Sequence, residues 1–300
     1  MGLKWPTALR RPHRRCYFLL TAIVLLMFYL SVRSLPEETA EDCHSSWAPC
    51  WKLNSRGEQL SSPAGSDSEY RDPTQGECPG QRFQVSQLLS HLHSALSPNG
   101  DVLLQPYLSS WEELLKFMES LGPVVGFISQ QVENKASLIH HLAQQDSQRQ
   151  VEEAAQQEDA YRSVRSMIRA ELSWGLVNFQ QQTPSGCRTL LRLHRALLWL
   201  QLFLEKVAES AAEGRELRSV SELCREAYLE ALAHHHSWVA RQAASMAFAV
   251  MPDRDALFQL VCVQSQKEAR PVLHKVAKAI GEVYHRTQRA FKEHGMLELP

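Results

Sequence analysis

The sequence predicts an all-α domain of about eight helices, preceded by a non-globular N-terminal stretch. Three observations lead there. From Gln81 onward apolar residues recur at i, i+3, i+4 and i+7, and no stretch shows the period of two of a half-buried strand. Turn signals such as Ser97-Pro98-Asn99-Gly100 and Gly122-Pro123 separate these stretches. One stretch, residues 187–206, is apolar on nearly every side, as a buried central helix is.

Composition divides the chain into four parts. Residues 1–15 form a basic tail with Lys4, Arg10, Arg11, Arg14 and Arg15 and no acid. Residues 16–33 are a hydrophobic span, uncharged until Arg33, at the lower limit of length for crossing a bilayer. The span reads as an uncleaved signal-anchor, with a signal peptide cleaved around Val32-Arg33-Ser34 as the alternative. The basic tail before it, against Arg33 alone after it, keeps the N-terminus cytosolic. The expected localisation is single-pass membrane with a lumenal or extracellular domain, or secretion if the span is removed. Residues 34–80 are a stem rich in Ser, Pro, Gly, Glu and Asp, too polar to order itself. Residues 81–300 are the folded domain.

Within the domain, Val85, Leu88, Leu89, Leu92 and Leu96 mark the first helix. Ser110-Trp111-Glu112-Glu113 reads as a capping box that opens the second. Pro123 opens a third, through Ile128, Val132 and Ile139. Residues 143–160 are a Gln-rich insert, either a helix extension or a loop. Val164, Met167, Ile168, Leu172, Leu176 and Val177 mark a further helix before the central one. Residues 223–232, 238–250, 253–263 and 272–291 complete the set.

A net charge of -1 supplies no field for nucleic acid. There is no GxSxG, HExxH, P-loop or GxGxxG, so neither an enzyme nor a cofactor is expected. His234-His235-His236 cannot jointly hold a metal unless the helix unwinds, because consecutive helical residues point in different directions. No cysteine spacing suits zinc. Cys187, Cys224 and Cys262 lie in apolar helical surroundings and read as core residues. Cys43, Cys50 and Cys78, in the polar segment, are then the ones open to disulfide bonding.

The chemistry lies in cations beside apolar helix faces. Arg188, Arg192 and Arg195, at i, i+4 and i+7, share one face of the most apolar helix. Guanidinium cannot discharge and is rarely buried unpaired, so the stripe asks for an anion; the alternative is a solvated stripe. Gln131 and Lys135 share a face beside the apolar stripe of the third helix, where the alternative for Lys135 is a snorkelling surface side chain. His236, two residues before Trp238, leads into an apolar helix, with an ordinary surface histidine as the alternative.

The stretches CRTLLRLHRALLWLQLFLE, SWEELLKFMESLG, FIS…K, HSWV and the terminal LELP resemble, in order over about residues 85–300, the ceramide-1-phosphate transfer branch of the glycolipid transfer protein superfamily. The resemblance implies a two-layer helical sandwich that holds one sphingolipid, headgroup at the surface and chains between the layers. It assigns Lys135, Arg188 and Arg192 to the headgroup phosphate, His236 to the ceramide amide carbonyl and Trp238 to the membrane surface. Sugar-selective members have tryptophan at the position of Arg192 and asparagine at that of Lys135, so phosphate is favoured. Guanidinium forks match phosphate oxygens with paired bonds. The family aspartate that accepts the amide N–H falls on Gln131, which accepts through its carbonyl oxygen without charge assistance. Members of the family work in the cytosol, a further alternative for the localisation.

The expected function is non-enzymatic binding and intermembrane transfer of ceramide-1-phosphate by a monomer that docks on a bilayer. The lipid chains are expected against Val124, Phe127, Ile128, Leu191 and Phe248. The alternatives are a membrane-tethered sphingolipid sensor, transfer of a glycosphingolipid, and a helical scaffold without lipid, which a collapsed interlayer cavity would favour.

Overall fold

The computed structural model describes residues 72–152, 159–209 and 217–300. The basic tail, the 16–33 span and the stem up to residue 71, with Cys43, Cys50, Trp47 and Trp51, lie outside the described residues. The described residues form nine α-helices and no strand, in agreement with the all-α expectation. In chain order they are α1 (Val85–Ser94), α2 (Leu104–Ser120), α3 (Pro123–Glu152), α4 (Val164–Ser173), α5 (Gly186–Glu209), α6 (Val220–Ala231), α7 (Trp238–Ala249), α8 (Arg254–Leu260) and α9 (Gln266–Glu293). A 3₁₀ turn, Ala233–His235, joins α6 to α7.

The apolar helix of the sequence is α5, and it is the hub. It packs against α9, α6, α3 and α4, burying Leu190, Leu193, Leu197, Phe203, Leu204 and Val207. α9 meets it with Val276, Ile280 and Val283 on its buried stripe. α2 lies between α1 and α3.

Three local expectations change, and one open alternative is decided. α2 begins at Leu104, not after Ser110, because Leu104, Tyr107, Leu108 and Trp111 already form its buried stripe. Ser110 is therefore mid-helix, its hydroxyl donating to the Tyr107 carbonyl at 2.6 Å, and Glu113 is buried, accepting from the Gln84 N–H at 2.6 Å. α4 stops at Ser173, where Gly175 takes a φ of 68° suited to glycine, so Leu176 and Val177 belong to a loop. Residues 143–152 extend α3. Cys262 is not a free core thiol: it is disulfide-bonded to Cys78, a pairing of distant segments that sequence spacing does not reveal. Cys187 and Cys224 are buried and free, as expected.

The expected single-pass membrane topology is corrected. No described helix is long and apolar enough to cross a membrane. The central helix itself carries Arg188, Arg192, Arg195, Glu205, Lys206 and Glu209. The hydrophobic segment that suggested a span lies outside the described residues.

The start of α5 is set by a buried carboxylate. Glu171 accepts from the N–H groups of Gly186 at 2.6 Å and Cys187 at 2.9 Å, and from the Tyr161 hydroxyl at 3.0 Å. A negative group there meets unsatisfied N–H groups and the positive end of the helix dipole. The approach needs glycine: a Cβ on residue 186 would lie 2.7 Å from Glu171 Oε1 and 2.9 Å from Met167 Sδ. Gly186→Ala is expected to destabilise the fold by about 1–3 kcal/mol in chemical denaturation, the usual cost of overpacking. A change near zero would show that α5 does not start against this carboxylate.

Candidate functional site

The cation stripe of α5 faces a cavity of about 420 Å³. Arg188, Arg192 and Arg195 line one side, Gln131 and Lys135 of α3 another, and His235 and His236 a third. Gln182, Leu299 and Pro300 complete the rim. Gln131, Lys135, Arg188, Arg192 and His236, far apart in the chain, thus meet around one cavity. Trp238 does not line it: it opens α7 two residues beyond His236 and is 63% exposed.

The cations differ in their surroundings. Arg188 is only 4% exposed. Its Nε donates to an oxygen of Pro300 at 2.6 Å, and its Nη2 to the carbonyls of Asn178 and Gln181, each at 2.9 Å. Its Nη1 donates to the Thr183 carbonyl and, at 3.0 Å, to the Thr183 hydroxyl. Five N–H donors meet five acceptors, the full capacity of a guanidinium. Burial and then the charge of Arg192 pull its pKa down, while Glu171 opposes them. Arg192, one turn on, is exposed and makes no hydrogen bond or salt bridge among the described residues.

Arg192 is felt by the remaining cations. The Lys135 ammonium, which donates to the Gln131 carbonyl at 2.7 Å, has its pKa lowered by burial and then by Arg192. Arg195 donates to the Leu297 carbonyl at 2.6 Å; burial lowers its pKa, Glu298 opposes this, and Arg192 adds to it. The cavity wall holds four cations and no carboxylate side chain. Their mutual repulsion is relieved by an anion placed among them.

The two imidazoles of the cavity are both shifted toward the neutral form. Burial and then Lys135 lower the pKa of His236, and burial with Arg195 takes that of His235 to about 4. His236 Nδ1 lies 2.9 Å from the Tyr228 hydroxyl. When that hydroxyl donates to Nδ1, the ring proton sits on Nε2, which becomes a donor.

An apolar interior adjoins the cavity. Trp111, Met118, Ile128, Ala196 and Trp199 line both the charged cavity and a second one of about 40 Å³, whose wall includes Phe117, Phe203, Phe248 and Met251 and holds no charged residue. Of the residues expected to meet the lipid chains, Ile128 and Phe248 line the apolar cavity and Leu191 the charged one. The side chains of Val124 and Phe127 lie outside the described ones.

The i, i+4, i+7 spacing put Arg195 in the stripe that asks for an anion, but the resemblance gave it no role. His235 and the residues around Pro300 were also passed over. No sequence signal marks the acceptors of Arg188, because most of them are backbone carbonyls. Arg188→Leu is expected to destabilise the ligand-free domain by about 3–5 kcal/mol, the range for unpairing a buried charge network. Arg192→Leu is expected to stay within about 0.5 kcal/mol, as for an exposed unpaired side chain. Denaturant unfolding of both variants checks this, and equal effects would contradict it.

Residues 102–263 match the family model Glycolipid transfer protein (GLTP). The ceramide-1-phosphate transfer protein of rat is 37% identical over 227 residues, covering 74% of this chain and 99% of that one. The human protein is 36% identical over 221 residues, covering 73% and 97%. The crystal structure of human ceramide-1-phosphate transfer protein with 12:0 ceramide-1-phosphate superposes with a TM-score of 0.62 at 36% identity, over 71% of this chain and 97% of that chain. The match spans nearly the whole length of these relatives and about three quarters of this chain. They give no support to the expected single-pass localisation, which is withdrawn. The chain belongs to the glycolipid transfer protein family, in its ceramide-1-phosphate transfer branch.

Proposed function

We propose that the domain binds ceramide-1-phosphate and transfers it between bilayers without making or breaking a bond. The observation that carries this reading is the juxtaposition of a cavity with four cationic and no anionic side chains and a purely apolar interior reached through shared wall residues. A phosphomonoester on two hydrocarbon chains has that same division. Arg192 and Lys135 take the phosphate first, since Arg192 has no partner to release and Lys135 releases only one carbonyl. Arg188 supplies positive charge from the wall and gives phosphate a bond only by exchanging one of its carbonyl acceptors. His236 donates from Nε2 to the amide carbonyl, and Gln131 accepts the amide N–H. Trp238 rests at the bilayer surface, where an amphipathic ring is favoured.

The chains enter between the helical layers. Each methylene hidden from water contributes about 0.8 kcal/mol, nearly what the bilayer offers, so exchange runs both ways. The apolar cavity of about 40 Å³ is far smaller than two chains, so α2, α3 and α7 part as they enter. Met118 and Met251 in its wall can re-form around a new shape. The same small volume favours a second reading, a helical scaffold that does not take up lipid.

Transfer between vesicles by residues 72–300 distinguishes the two. The transfer reading expects movement of ceramide-1-phosphate that neutral glycosphingolipid does not inhibit. Arg192→Leu is expected to slow it about ten- to a hundredfold, the equivalent of one charged hydrogen bond. A folded domain that neither transfers ceramide-1-phosphate nor binds its 2:0 form is a scaffold.

A further inference from the structure

The polar side chains that line the charged cavity are mostly donors. Lys135, Arg188, Arg192 and Arg195 can donate and cannot accept. No aspartate or glutamate side chain lines the wall among the described residues, and the Pro300 oxygen on its rim already accepts from Arg188 Nε at 2.6 Å. Glu171 and Glu298 act on Arg188 and Arg195 without lining the cavity.

The remaining polar side chains of the wall are Gln131, Gln182, His235 and His236. His236 offers a donor at Nε2 when the Tyr228 hydroxyl, 2.9 Å from Nδ1, donates to that nitrogen. The Lys135 ammonium bonds the main-chain carbonyl of Gln131 at 2.7 Å and leaves its side-chain amide free. The side-chain amides of Gln131 and Gln182 make no hydrogen bond among the described residues. Each can donate through its nitrogen or accept through its oxygen. No side chain of the wall is therefore an obligate acceptor.

The lipid backbone next to the phosphate is read by these groups. A ceramide backbone brings an amide N–H and a hydroxyl, donors that need acceptors. A diacylglycerol backbone brings ester carbonyls and no donor. In both, the acyl carbonyl beside the phosphate lies the same number of bonds from phosphorus, so His236 Nε2 meets it in either lipid. A carboxylate in place of the Gln131 amide would accept the amide N–H and repel an ester oxygen, whereas the amide turns over to suit either. Strong rejection of an analogue arises when it leaves a buried polar group of the site unpaired. Gln131 is exposed, so neither backbone incurs that cost at this side chain.

We infer that the cavity takes phosphomonoesters of ester-linked diacylglycerol, the phosphatidic acid class, alongside ceramide-1-phosphate, because its wall meets the lipid backbone with donors and with amides that serve in either sense. This rests on the placement of phosphate among the cations in the transfer reading and names a second ligand class for the same cavity.

The test uses the full chain. Binding of 2:0 ceramide-1-phosphate and of an acetylated phosphatidic acid of matched chain length is measured directly, and then in competition, with phosphatidylcholine of the same chains as control. The phosphatidic acid is expected to bind within about tenfold of ceramide-1-phosphate, the span of one neutral hydrogen bond, and to displace it. Phosphatidylcholine, a phosphodiester with its own cation, is expected not to displace it. Gln131→Asp brings a negative charge near the phosphate of both lipids, so the informative quantity is the ratio of their affinities. That ratio is expected to move against phosphatidic acid by about tenfold or more, the equivalent of one hydrogen bond to a charged group. Ceramide-1-phosphate that stays bound against about a hundredfold excess of phosphatidic acid overturns the inference. A ratio unchanged in Gln131→Asp, or equal displacement by phosphatidylcholine, overturns it as well. A chain that binds phosphatidic acid but not ceramide-1-phosphate overturns the ceramide-1-phosphate reading and leaves the phosphomonoester site standing, whereas a chain that binds neither overturns both.

Discussion

A guanidinium that cannot lose its charge and is hidden from water must be given acceptors for all its donors. Arg188 is such a group, and the region around the cavity is arranged to meet that requirement. Its acceptors come from Asn178, Gln181, Thr183 and Pro300, so one side chain ties the first turn of α5 to the α4–α5 loop and to the last residue of the chain. Behind it, Glu171 does the complementary work, receiving the first N–H groups of α5 and opposing the charges in the wall. The helix start, the rim loop and the electrostatics of the cavity are therefore parts of one network.

That network separates two cations to which family resemblance gives the same role. Arg188 is buried and saturated, whereas Arg192 is exposed and unpartnered, and it depresses the pKa of Lys135, Arg188 and Arg195 alike. In the proposed reading the first holds charge in place and the second meets the ligand. Discrimination by headgroup then resides in the rim, which is polar and held by specific bonds. Accommodation of the chains falls to an interior bounded by side chains that can repack, among them Met118 and Met251.

Much of this was legible in the sequence, and the exceptions share a cause. The hub helix could be read because apolar periodicity is local. The roles of Gln131, Lys135, Arg188, Arg192 and His236 are what the resemblance implies, and the structure places the five around one cavity. The extent of α2 was misread at Ser110 because a favourable capping pattern inside a longer apolar stripe yields to burial of Leu104 and Tyr107. Leu176 was placed in a helix because its apolar character fits the period. Gly175 ends the helix before it and turns it outward. The Cys78–Cys262 bond and the acceptors of Arg188 depend on contacts between distant segments, about which local pattern says nothing.

The central claim is that a phosphomonoester sits among the four cations. The most direct measurement is a ³¹P titration of 2:0 ceramide-1-phosphate bound to the domain. The second ionisation of an unbound phosphomonoester lies near pH ~6. Surrounded by Lys135, Arg188, Arg192 and Arg195, the dianion is favoured, and the account predicts a downward shift of at least about one unit in the bound lipid, largely lost in Arg192→Leu. A bound phosphate that titrates at or above the unbound value would contradict the account, since no anion can lie in that cavity and fail to feel its charge.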